Sequence, residues 1–453
     1  MSWLAEMSVH LPPDWSIARL SQVADVRFSN VDKHTLDDES PIRLCNYVDV
    51  YKNEKITRDI AFMDASADPS ERSRFQIQPG DVLATKDSET ADDIAIPALV
   101  TESLPDVLCG YHLAMIRPRS MRVRGDFLFW LHASKQFRGQ YEREAVGVTR
   151  FGLSQYSFIA AEIPLPPADE QERIAANLDA RCRAIDTAIA AKRNQIDALA
   201  GVFRATLQRA VTQGLGENAQ ARPTANLWLP FVPQGWDLVM LKRVCEIRGG
   251  LTLGKAYEGP LVERPYLRVA NVQDGYVHLE DVSTIELPLA VAERTSLLAG
   301  DVLMTEGGDL DKLGRGVVWH GEIADCLHQN HVFAVRCFDW KLRPQFLAHV
   351  SASQYGRDYF EATGKKTTNL AATNSTKVGQ FPIPLPSLAS QDKIIEFLDG
   401  ETVRTQGIRQ TLEQQITTLI AYRRSLIHEC VTGQHRITDQ DINRVTADAL
   451  ANA

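Results

Sequence analysis

The sequence predicts an α+β protein built from two similar halves, each a mixed domain followed by a long helix. Three observations support this prediction: an internal repeat with an offset near 220 residues, short β-type runs between turn residues, and long stretches of helical apolar spacing. The repeated segments are 15–26 and 236–247, 80–83 and 300–303, 163–166 and 383–386, and 171–179 and 391–399, and His112 recurs as His331. Because this period far exceeds the roughly 50 residues of a solenoid unit, each copy is a whole domain and we expect pseudo-two-fold symmetry.

Both mixed domains show the same order of elements. In the first copy a helix near 127–141 follows β-type runs at 81–85, 94–96, 113–116 and 122–124. In the second copy a helix near 345–360 follows runs at 266–269, 301–305, 316–319 and 331–335. We therefore divide the chain into a first domain (1–162), a central helical region (163–215), a linker with the second domain (216–382), and a C-terminal helical region with a tail (383–453).

The helical regions have the apolar spacing of a coiled coil. Asp169 and Glu170 favour a helix start, and from Leu178 onward the 4-3 spacing predicts a helix of roughly 65 Å. In the second copy Gly400 and Gly407 each cost about 1 kcal/mol in a helix, so we expect a short helix followed by a longer one. One such amphipathic helix cannot bury its apolar stripe alone. We expect the two copies to pair antiparallel, the alternative being that each helix packs on its own domain.

The composition is that of an ordinary globular protein, with 44% hydrophobic and 24% charged residues in 453. No apolar run is long enough for a membrane span, and Met1–Asp14 does not resemble a signal peptide. The seven cysteines are scattered without a C-x-x-C pair, which is typical of reduced thiols. These features predict a cytoplasmic protein.

Two motifs suggest a nucleotide or a metal site, and neither is complete. The segment 249–256 resembles a P-loop, but Ala256 replaces the Ser or Thr that holds magnesium and no helix pattern follows. Cys326, His328, His331 and Cys337 have zinc-like spacing, but the first copy keeps only Cys109 and His112. We expect a glycine turn at the first motif, and no catalytic, cofactor-binding or metal-binding residues in this chain.

Loop residues with hydrogen-bond donors are candidates for contact with DNA. Glycine allows close backbone approach, Lys and Arg reach phosphate or guanine, and Asn can recognise adenine. The net charge of −9 counts against DNA binding. It is, however, an average over all faces, and the face that contacts DNA can still be basic. One group of candidates lies in the loops 147–150 and 364–369, where Gly147 aligns with Gly364 at an offset of 217. A second basic cluster is formed by Arg117, Arg119, Arg122 and Arg124. The predicted DNA-binding residues are Lys86, His112, Thr149, Arg150, Thr305, Lys312, Arg315, Asn330, His331, Lys365, Lys366, Thr367, Thr368 and Asn369.

The order of motifs resembles the specificity subunit of type I restriction-modification systems. In the first half these motifs are Ile163–Pro167, Glu170-Gln171-x-x-Ile174, a long helix and Ala210–Leu215. The second half repeats them as Ile383–Pro386, Gln391-x-x-Ile394, a helix, Arg424-x-x-Leu-Ile427 and Val431–Gly433, and Gly300–Leu303 and Gln329–Phe333 also resemble the family. Ser390 stands where the family has an acidic residue, which predicts a weaker start for the second helix.

The resemblance implies two target-recognition domains, each recognising one half of a bipartite DNA sequence. Tyr111 and Asn330 occupy equivalent positions, so the two domains should recognise different bases. The paired helices would set the spacing between the half-sites and dock two methyltransferase subunits, which restriction subunits then join. S-adenosylmethionine, ATP and Mg would be bound by these partners and not by this chain. The residues expected at the docking surface are Ile189, Ile196, Leu199, Phe203, Leu412, Ile416, Leu419 and Tyr422.

We therefore expect a non-catalytic DNA-recognition subunit. Two other classes of protein remain open from the sequence. One is an enzyme, such as a fused methyltransferase or nuclease, which would bind S-adenosylmethionine by itself. The other is a coiled-coil adaptor without a DNA role, in which changes at Arg150, Lys365 and Lys366 would leave partner activity intact.

Overall fold

The computed structural model describes residues 11–119, 122–216, 220–308, 313–366 and 371–444. The chain forms two compact units. The first comprises Met1–Lys192 and Glu413–Ala453, and the second comprises Arg193–Leu412. Each unit contains a mixed domain and one segment of each of two long helices.

The domain of the first unit has a mixed five-stranded sheet at its centre, with strand order β2-β10-β6-β8-β4, and a three-stranded sheet of order β5-β3-β9. Its strands are β1 (Ser16–Arg19), β2 (Ala24–Phe28), β3 (Ser40–Cys45), β4 (Lys55–Ile56), β5 (Met63–Ala67), β6 (Val82–Thr85), β7 (Asp87–Ser88), β8 (Pro97–Val100), β9 (Val107–Cys109), β10 (Leu113–Pro118), β11 (Phe151–Gly152) and β12 (Glu162–Leu165). Its helices are α1 (Leu20–Val23), α2 (Tyr47–Lys52), α3 (Pro69–Phe75), α4 (Gly125–Ala133), α5 (Lys135–Glu144) and α6 (Gln155–Ala160).

The long helix α7 (Ala168–Gln213) leads into the second unit, whose domain has a four-stranded sheet of order β16-β23-β19-β21. Its strands are β13 (Ala221–Pro223), β14 (Phe231–Pro233), β15 (Asp237–Met240), β16 (Cys245–Gly249), β17 (Val262–Leu267), β18 (Ser283–Leu287), β19 (Val302–Thr305), β20 (Gly307–Gly308), β21 (Gly316–Val318), β22 (Leu327–His328), β23 (Val332–Cys337), β24 (Lys365–Lys366), β25 (Ala371–Ala372) and β26 (Pro382–Leu385). Its helices are α8 (Leu289–Thr295), α9 (Pro344–Ala352), α10 (Gln354–Thr363), α11 (Ser375–Gln380) and the start of α12 (Leu388–Val431).

The central strands of both domains are buried on both faces. In β6, Val82 and Ala84 join the core with α4, whereas Leu83 joins the core with β3 and β9. In β19 the same alternation places Val302 and Met304 in one core and Leu303 in another. This alternation is the period of two that a strand imposes on its side chains. The α+β class and the internal repeat are thus confirmed in the fold of the two domains.

The repeated Gly-Asp-Val-Leu motif holds the sheet in place. Asp81 is 1% exposed, accepts from the backbone N–H of Gln78, and accepts two hydrogen bonds from Arg117 at 2.8 and 2.6 Å. Asp301 repeats this arrangement with Arg336 at 2.8 and 2.7 Å. Because a buried carboxylate requires such partners, the motif is repeated for a structural reason.

The second long helix is continuous, so the prediction of a short helix followed by a longer one is wrong. Helix α12 runs unbroken through Gly400 and Gly407. A Cβ at either glycine would meet no atom within 4 Å, so neither is needed for close packing. The propensity cost of about 1 kcal/mol each is outweighed, because Leu398, Leu426 and Ile427 on the same helix are buried.

Within the first unit, α7 and α12 run antiparallel. The amide of Asn177 lies 3.9 Å from Cys430 Sγ, Arg181 donates to the Tyr422 hydroxyl at 2.8 Å, and Lys192 donates to Gln415 at 2.6 Å. The residue numbers rise on α7 as they fall on α12, as antiparallel pairing requires. Leu178, Cys182, Ile185 and Ile189 of α7 share one core with Leu426, Ile427 and Cys430 of α12.

A buried glutamine fixes the start of each long helix. Gln171 is 0% exposed, donates to the carbonyls of Pro166 (2.9 Å) and Arg122 (3.0 Å), and accepts from the Arg124 N–H. Gln391 makes the same three contacts with Pro386, Lys341 and Arg343. The repeated glutamine therefore connects each helix to the turn that follows the last strand of the central sheet. At the second start, the Ser387 hydroxyl accepts from the N–H of Ser390.

The tail of the chain is held to the first domain by a buried carboxylate. Glu170 is 1% exposed and accepts from Trp15 Nε1 at 2.8 Å and from Arg436 at 2.5 and 2.8 Å. Arg436 also donates to Asp14 at 2.9 Å. Ile437, next in the chain, is buried in the core of the first unit.

Replacing Arg436 by alanine is expected to lower the free energy of unfolding of the first unit by about 3 kcal/mol. Removing one partner of a buried ion pair leaves the other charge uncompensated, and the arginine is partly exposed, so the loss lies at the lower end of the usual range. Urea unfolding checks this. Arg58→Ala is the control, because the exposed Arg58–Glu102 pair should contribute less than about 1 kcal/mol. Equal losses in the two variants would contradict the prediction.

A buried histidine in α4 makes the stability of the first unit dependent on pH. His132 Nδ1 donates to the Leu128 carbonyl at 2.8 Å, so its Nε2 accepts from the Tyr141 hydroxyl at 3.0 Å. Burial lowers the pKa of His132 from 6.5 to about 4. Below pH 6.5 the unfolded chain therefore binds more protons than the folded chain, and stability falls as the pH falls toward 4.

Between pH 7 and pH 5 this histidine alone should remove about 2 kcal/mol from the free energy of unfolding. The measurement is urea unfolding of the wild-type protein and the His132→Gln variant at both pH values. The variant should lose about 2 kcal/mol less than the wild type over this interval. An identical loss in both proteins would show that His132 does not titrate on unfolding.

Candidate nucleic-acid interface

Each domain carries a histidine–carboxylate pair where an inner strand of its central sheet begins. We call this end of the strands the recognition edge of the domain. His112 precedes β10, and its Nδ1 donates to Asp87 Oδ2 at 2.7 Å. His331 precedes β23, and its Nδ1 donates to Glu306 Oε2 at 2.6 Å. The backbone joins the same segments, since Lys86 N–H donates to His112 O and Glu306 N–H to His331 O. The two histidines are the equivalent residues that the sequence predicted to face DNA.

Arg150 and Lys86 complete this edge in the first domain. Arg150 donates to Asp87 Oδ1 at 2.5 Å, and 57% of its side chain is exposed. The Lys86 ammonium lies 4.3 Å from the ring centre of Tyr111 and 5.1 Å from that of Phe28. Burial lowers the pKa of Lys86. The structure thus brings together His112, Arg150 and Lys86, which the sequence predicted separately.

The hairpin that carries Arg150 corrects the predicted alignment of the two copies. In the first domain Val146 bridges Gly152, and in the second Lys365 pairs with Ala372. The offset between these equivalent pairs is 219 to 220, so the predicted offset of 217 between Gly147 and Gly364 is wrong. The second hairpin is one residue longer between the paired positions, which the glycine alignment concealed.

In the second domain the structure describes only part of the predicted set. Lys312, Thr367, Thr368 and Asn369 lie outside the described residues, and of Lys366 only the backbone position in β24 is described. Lys365 pairs with Ala372 in the three-stranded sheet that also contains β20, the strand after Glu306. Thr305 is buried at the end of β19 and its N–H donates to the Arg315 carbonyl at 3.4 Å. The N–H of Asn330 donates to Leu251 O beside His331, and Thr149 is exposed beside Arg150 in the first domain.

Three arginines of the second basic cluster are paired with carboxylates, and DNA contact by this cluster stays a prediction. Arg117 pairs with buried Asp81, Arg119 with Asp25 and Arg124 with Asp126. Arg117 lies in β10 and Arg119 follows it, at the opposite end of that strand from His112. These arginines neutralise carboxylates of their own domain.

The predicted docking residues differ in how far the chain itself covers them. Ile189 is 7% exposed in the core of the first unit, and Ile416 and Leu419 pack against that core. Ile196, Leu199, Phe203 and Leu412 are half-buried, whereas Tyr422 is 45% exposed. A side chain that is buried within the chain contributes little free surface to a partner, so among these residues Tyr422 is the most accessible. Docking by this set stays a prediction.

Three residues of the nucleotide-like and zinc-like motifs make contacts within the second domain. A Cβ at Gly250 would lie 2.2 Å from His328 O, so glycine is needed there for close contact with the neighbouring strand. His328 is buried and donates to Val332 O at 2.6 Å, while His331 is engaged by Glu306. Among the residues that the structure describes, no group of three or more His, Cys, Asp or Glu side chains could hold a metal ion. In that same part of the chain, no helix is both long and apolar enough to cross a membrane.

Three residues near Arg150, which are Tyr47, Tyr51 and Asp93, were not predicted from the sequence. Tyr47 and Tyr51 both lie in α2, and their rings stack on each other with centres 5.6 Å apart. The Tyr51 hydroxyl donates to Asp93 at 2.7 Å. The only sequence signal is the i,i+4 spacing of two tyrosines in a short helix. Their position beside Arg150 depends on contacts across about 100 residues, which spacing does not reveal.

Comparison with known proteins identifies the fold around this edge. Residues 12–198 match the family model of the type I restriction modification DNA specificity domain. Residues 12–198 belong to this family. The family predicted from the sequence motifs is thereby confirmed, and the second domain repeats the architecture of this specificity domain in its equivalent strands and helices.

Alignments to relatives of the specificity domain extend over most of the chain. The type I restriction enzyme EcoKI specificity subunit of Escherichia coli (strain K12) is 23% identical over 427 residues, which are 91% of this chain and 86% of that protein. The StySPI specificity subunit of Salmonella potsdam is 21% identical over 435 residues, 94% of this chain and 90% of that protein.

Two solved structures share the fold along nearly the whole chain. One is a chain from a type I R-M system solved to explain its complex assembly and conformational transition, with a TM-score of 0.70 and 20% identity. The other is the HsdS subunit from Thermoanaerobacter tengcongensis, with a TM-score of 0.54 and 20% identity. Each match covers 93% of this chain and 98% of the solved chain. The two long helices and the two mixed domains are therefore the architecture of such subunits.

Proposed function

We propose that this chain is the DNA-recognition subunit of a type I restriction-modification complex and that it has no catalytic activity of its own. The observation that carries the proposal is the repeated histidine–carboxylate edge, His112 with Asp87 and His331 with Glu306, on a specificity-domain scaffold. A repeated scaffold with different loop residues suits two half-sites of different sequence. Each domain would recognise one half of a bipartite duplex site.

The loop residues at this edge have the chemistry for that task. Arg150 and Lys365 can contact phosphate or guanine, Asn330 can recognise adenine, and each histidine can accept a hydrogen bond at Nε2, the ring nitrogen not used by the carboxylate. We further propose that Thr149, Thr305, Lys312, Arg315 and 366–369 contribute backbone or base contacts.

The helices would serve the assembly. In the proposed complex, α7 and α12 set the distance between the half-sites and dock two methyltransferase subunits, and restriction subunits bind that assembly. S-adenosylmethionine, ATP and Mg would be bound by the partners, in the cytoplasm. The chain itself would supply sequence recognition.

The test is to map methylated bases across the host genome by long-read sequencing, with and without this gene. The proposal expects a bipartite motif, two short sequences separated by a fixed spacer, that disappears when the gene is deleted and returns on complementation. Unchanged methylation after deletion would contradict it. Binding of S-adenosylmethionine by the isolated chain would favour the enzyme alternative instead.

A further inference from the structure

A cavity of about 520 Å³ opens in the first specificity domain beside the Asp87–Arg150 pair. Its lining is polar and aromatic and comprises Tyr47, Tyr51, Ser88, Glu89, Thr90, Asp93, Thr149 and Arg150. Thr149 and Arg150 belong to the set that we propose to contact DNA. The cavity therefore lies at the recognition edge and has a volume suited to a small ligand or to the edge of a base pair.

One wall of the cavity is a pair of stacked tyrosines. The rings of Tyr47 and Tyr51 are nearly parallel, 14° apart, with centres separated by 5.6 Å. Tyr47 is half-buried, while Tyr51 is 44% exposed. Stacking holds the two rings against each other, and the hydrogen bond to Asp93 fixes Tyr51, so the wall is formed before any ligand arrives.

Asp93 is held in place inside this cavity. The Tyr51 hydroxyl donates to Asp93 Oδ2 at 2.7 Å, and this contact raises the pKa of Tyr51. A single neutral donor occupies one of about four acceptor positions on a carboxylate. Asp93 can therefore accept further hydrogen bonds from a ligand that carries an amino group.

The two carboxylates of the cavity disfavour phosphate beside them and favour the amino group of a base. Glu89 and Asp93 both line it and would repel a phosphate oxygen. In the major groove the cytosine edge presents an amino donor, whereas adenine places the N7 acceptor beside its own amino group. Arg150, on the same cavity, can donate to O6 and N7 of the guanine paired with that cytosine.

We propose that this cavity receives the major-groove edge of a cytosine–guanine pair, with Asp93 accepting from the cytosine amino group. The inference rests on the proposed function and specifies one base pair of the half-site bound by the first domain. Tyr51 is a positioning residue, since it orients Asp93. Arg150 contacts the guanine of the same pair.

Among the described residues of the second domain, the pair of stacked tyrosines is not repeated. Asn46 N–H donates to Asp49 Oδ2 and Arg268 N–H donates to Asn271 Oδ1, both at 2.8 Å, so the two segments are equivalent at an offset of 222. This offset places Val269 and Gln273 where the first domain has Tyr47 and Tyr51. The tyrosine wall beside Asp93 is therefore specific to the first domain, and the proposal concerns the half-site bound by that domain.

The experiment uses the complex of this chain with its modification subunits and duplexes that carry the mapped motif. In each duplex one cytosine–guanine pair of one half-site is replaced by thymine–adenine, and dissociation constants are measured by competition. The wild-type complex should discriminate against one replacement in the first half-site by about 10- to 100-fold. Asp93→Asn should reduce that discrimination to about threefold or less and leave the other half-site unchanged.

Two further variants separate a specific effect of Asp93 on base discrimination from a general loss of folding or DNA binding. Asp92→Asn is the matched control, because Asp92 lies 3.8 Å from Lys135 and is not part of the cavity lining. Tyr51→Phe removes only the hydroxyl that orients Asp93, and it should lower the same discrimination by about 2- to 10-fold even where Asp93→Asn does not fold. Loss of discrimination at that one base pair in Tyr51→Phe, with Asp92→Asn unchanged, supports the inference.

Other results overturn it. If Tyr51→Phe and Asp93→Asn keep every discrimination of the wild type, or if the mapped first half-site holds no cytosine–guanine pair, the cavity does not select this pair. The proposed function stands in both cases, because the bipartite motif is still present. Absence of any bipartite preference in the wild-type complex is the separate result that would contradict the proposed function itself.

Discussion

The complex that carries Arg150→Ala is expected to bind its DNA about 10- to 100-fold more weakly than the wild type. Arg150 is 57% exposed at the recognition edge and is positioned by Asp87. A charge-assisted hydrogen bond to phosphate or guanine contributes about 1.5 to 3 kcal/mol, which corresponds to that factor. If the contact is to phosphate, the slope of log K against log salt concentration should also fall by about one.

The measurement is a titration of labelled duplex at several salt concentrations between 50 and 200 mM, a range in which such slopes are steep. Arg119→Ala is the matched control: its side chain is 56% exposed and pairs with Asp25 at 2.5 Å, as Arg150 pairs with Asp87. Arg119 follows the far end of β10 from His112. Equal weakening by both variants, or by neither, would contradict the assignment of the recognition edge.

The domains themselves were predictable because their repeat is strong. Two copies of one pattern, offset by about 220 residues, indicated two similar domains and two long helices. Two motifs that recur in both copies have structural roles: Asp81 pairs with Arg117, and Gln171 donates to backbone carbonyls. Residues needed to bury a charge or start a helix are the same in both halves, since the scaffold is the same.

The errors have a common physical origin in contacts distant in sequence. Gly400 and Gly407 suggested a break because local propensity was considered alone, but burial elsewhere along α12 keeps the helix continuous. The pairing of Arg117 and Arg119 with Asp81 and Asp25 was likewise not predicted, because these carboxylates are 36 and 94 residues away. Tyr51 was missed because its partner Asp93 is 42 residues away.

A matched lengthening of both long helices is expected to change the spacer of the methylated motif and leave its two half-sites unchanged. Helix α7 continues without a break from the first unit into the second, and α12 returns from the second to the first. One added heptad lengthens a helix by about 10 Å, which is at most about three base pairs of duplex. The domains that recognise the half-sites are untouched by the insertion.

The structure determines how the insertion must be made. Lys192 of α7 donates to Gln415 of α12 at 2.6 Å, so the two helices must be lengthened together to keep their register. We would duplicate residues 189–195 in α7 and 409–415 in α12, which preserves the 4-3 spacing of the apolar positions. Duplicating 189–195 alone is the control, and it should destabilise the protein because one helix then lacks its partner.

The spacer length of the methylated motif is measured by long-read mapping of methylated bases in cells that carry each variant. The double insertion should yield both original half-sites with a spacer longer by one to about three base pairs. An unchanged spacer in a folded, active double insertion would show that the helices do not set the distance. The half-sites would then be spaced by the partner subunits, and α7 and α12 would serve only to connect the two domains and to dock those partners.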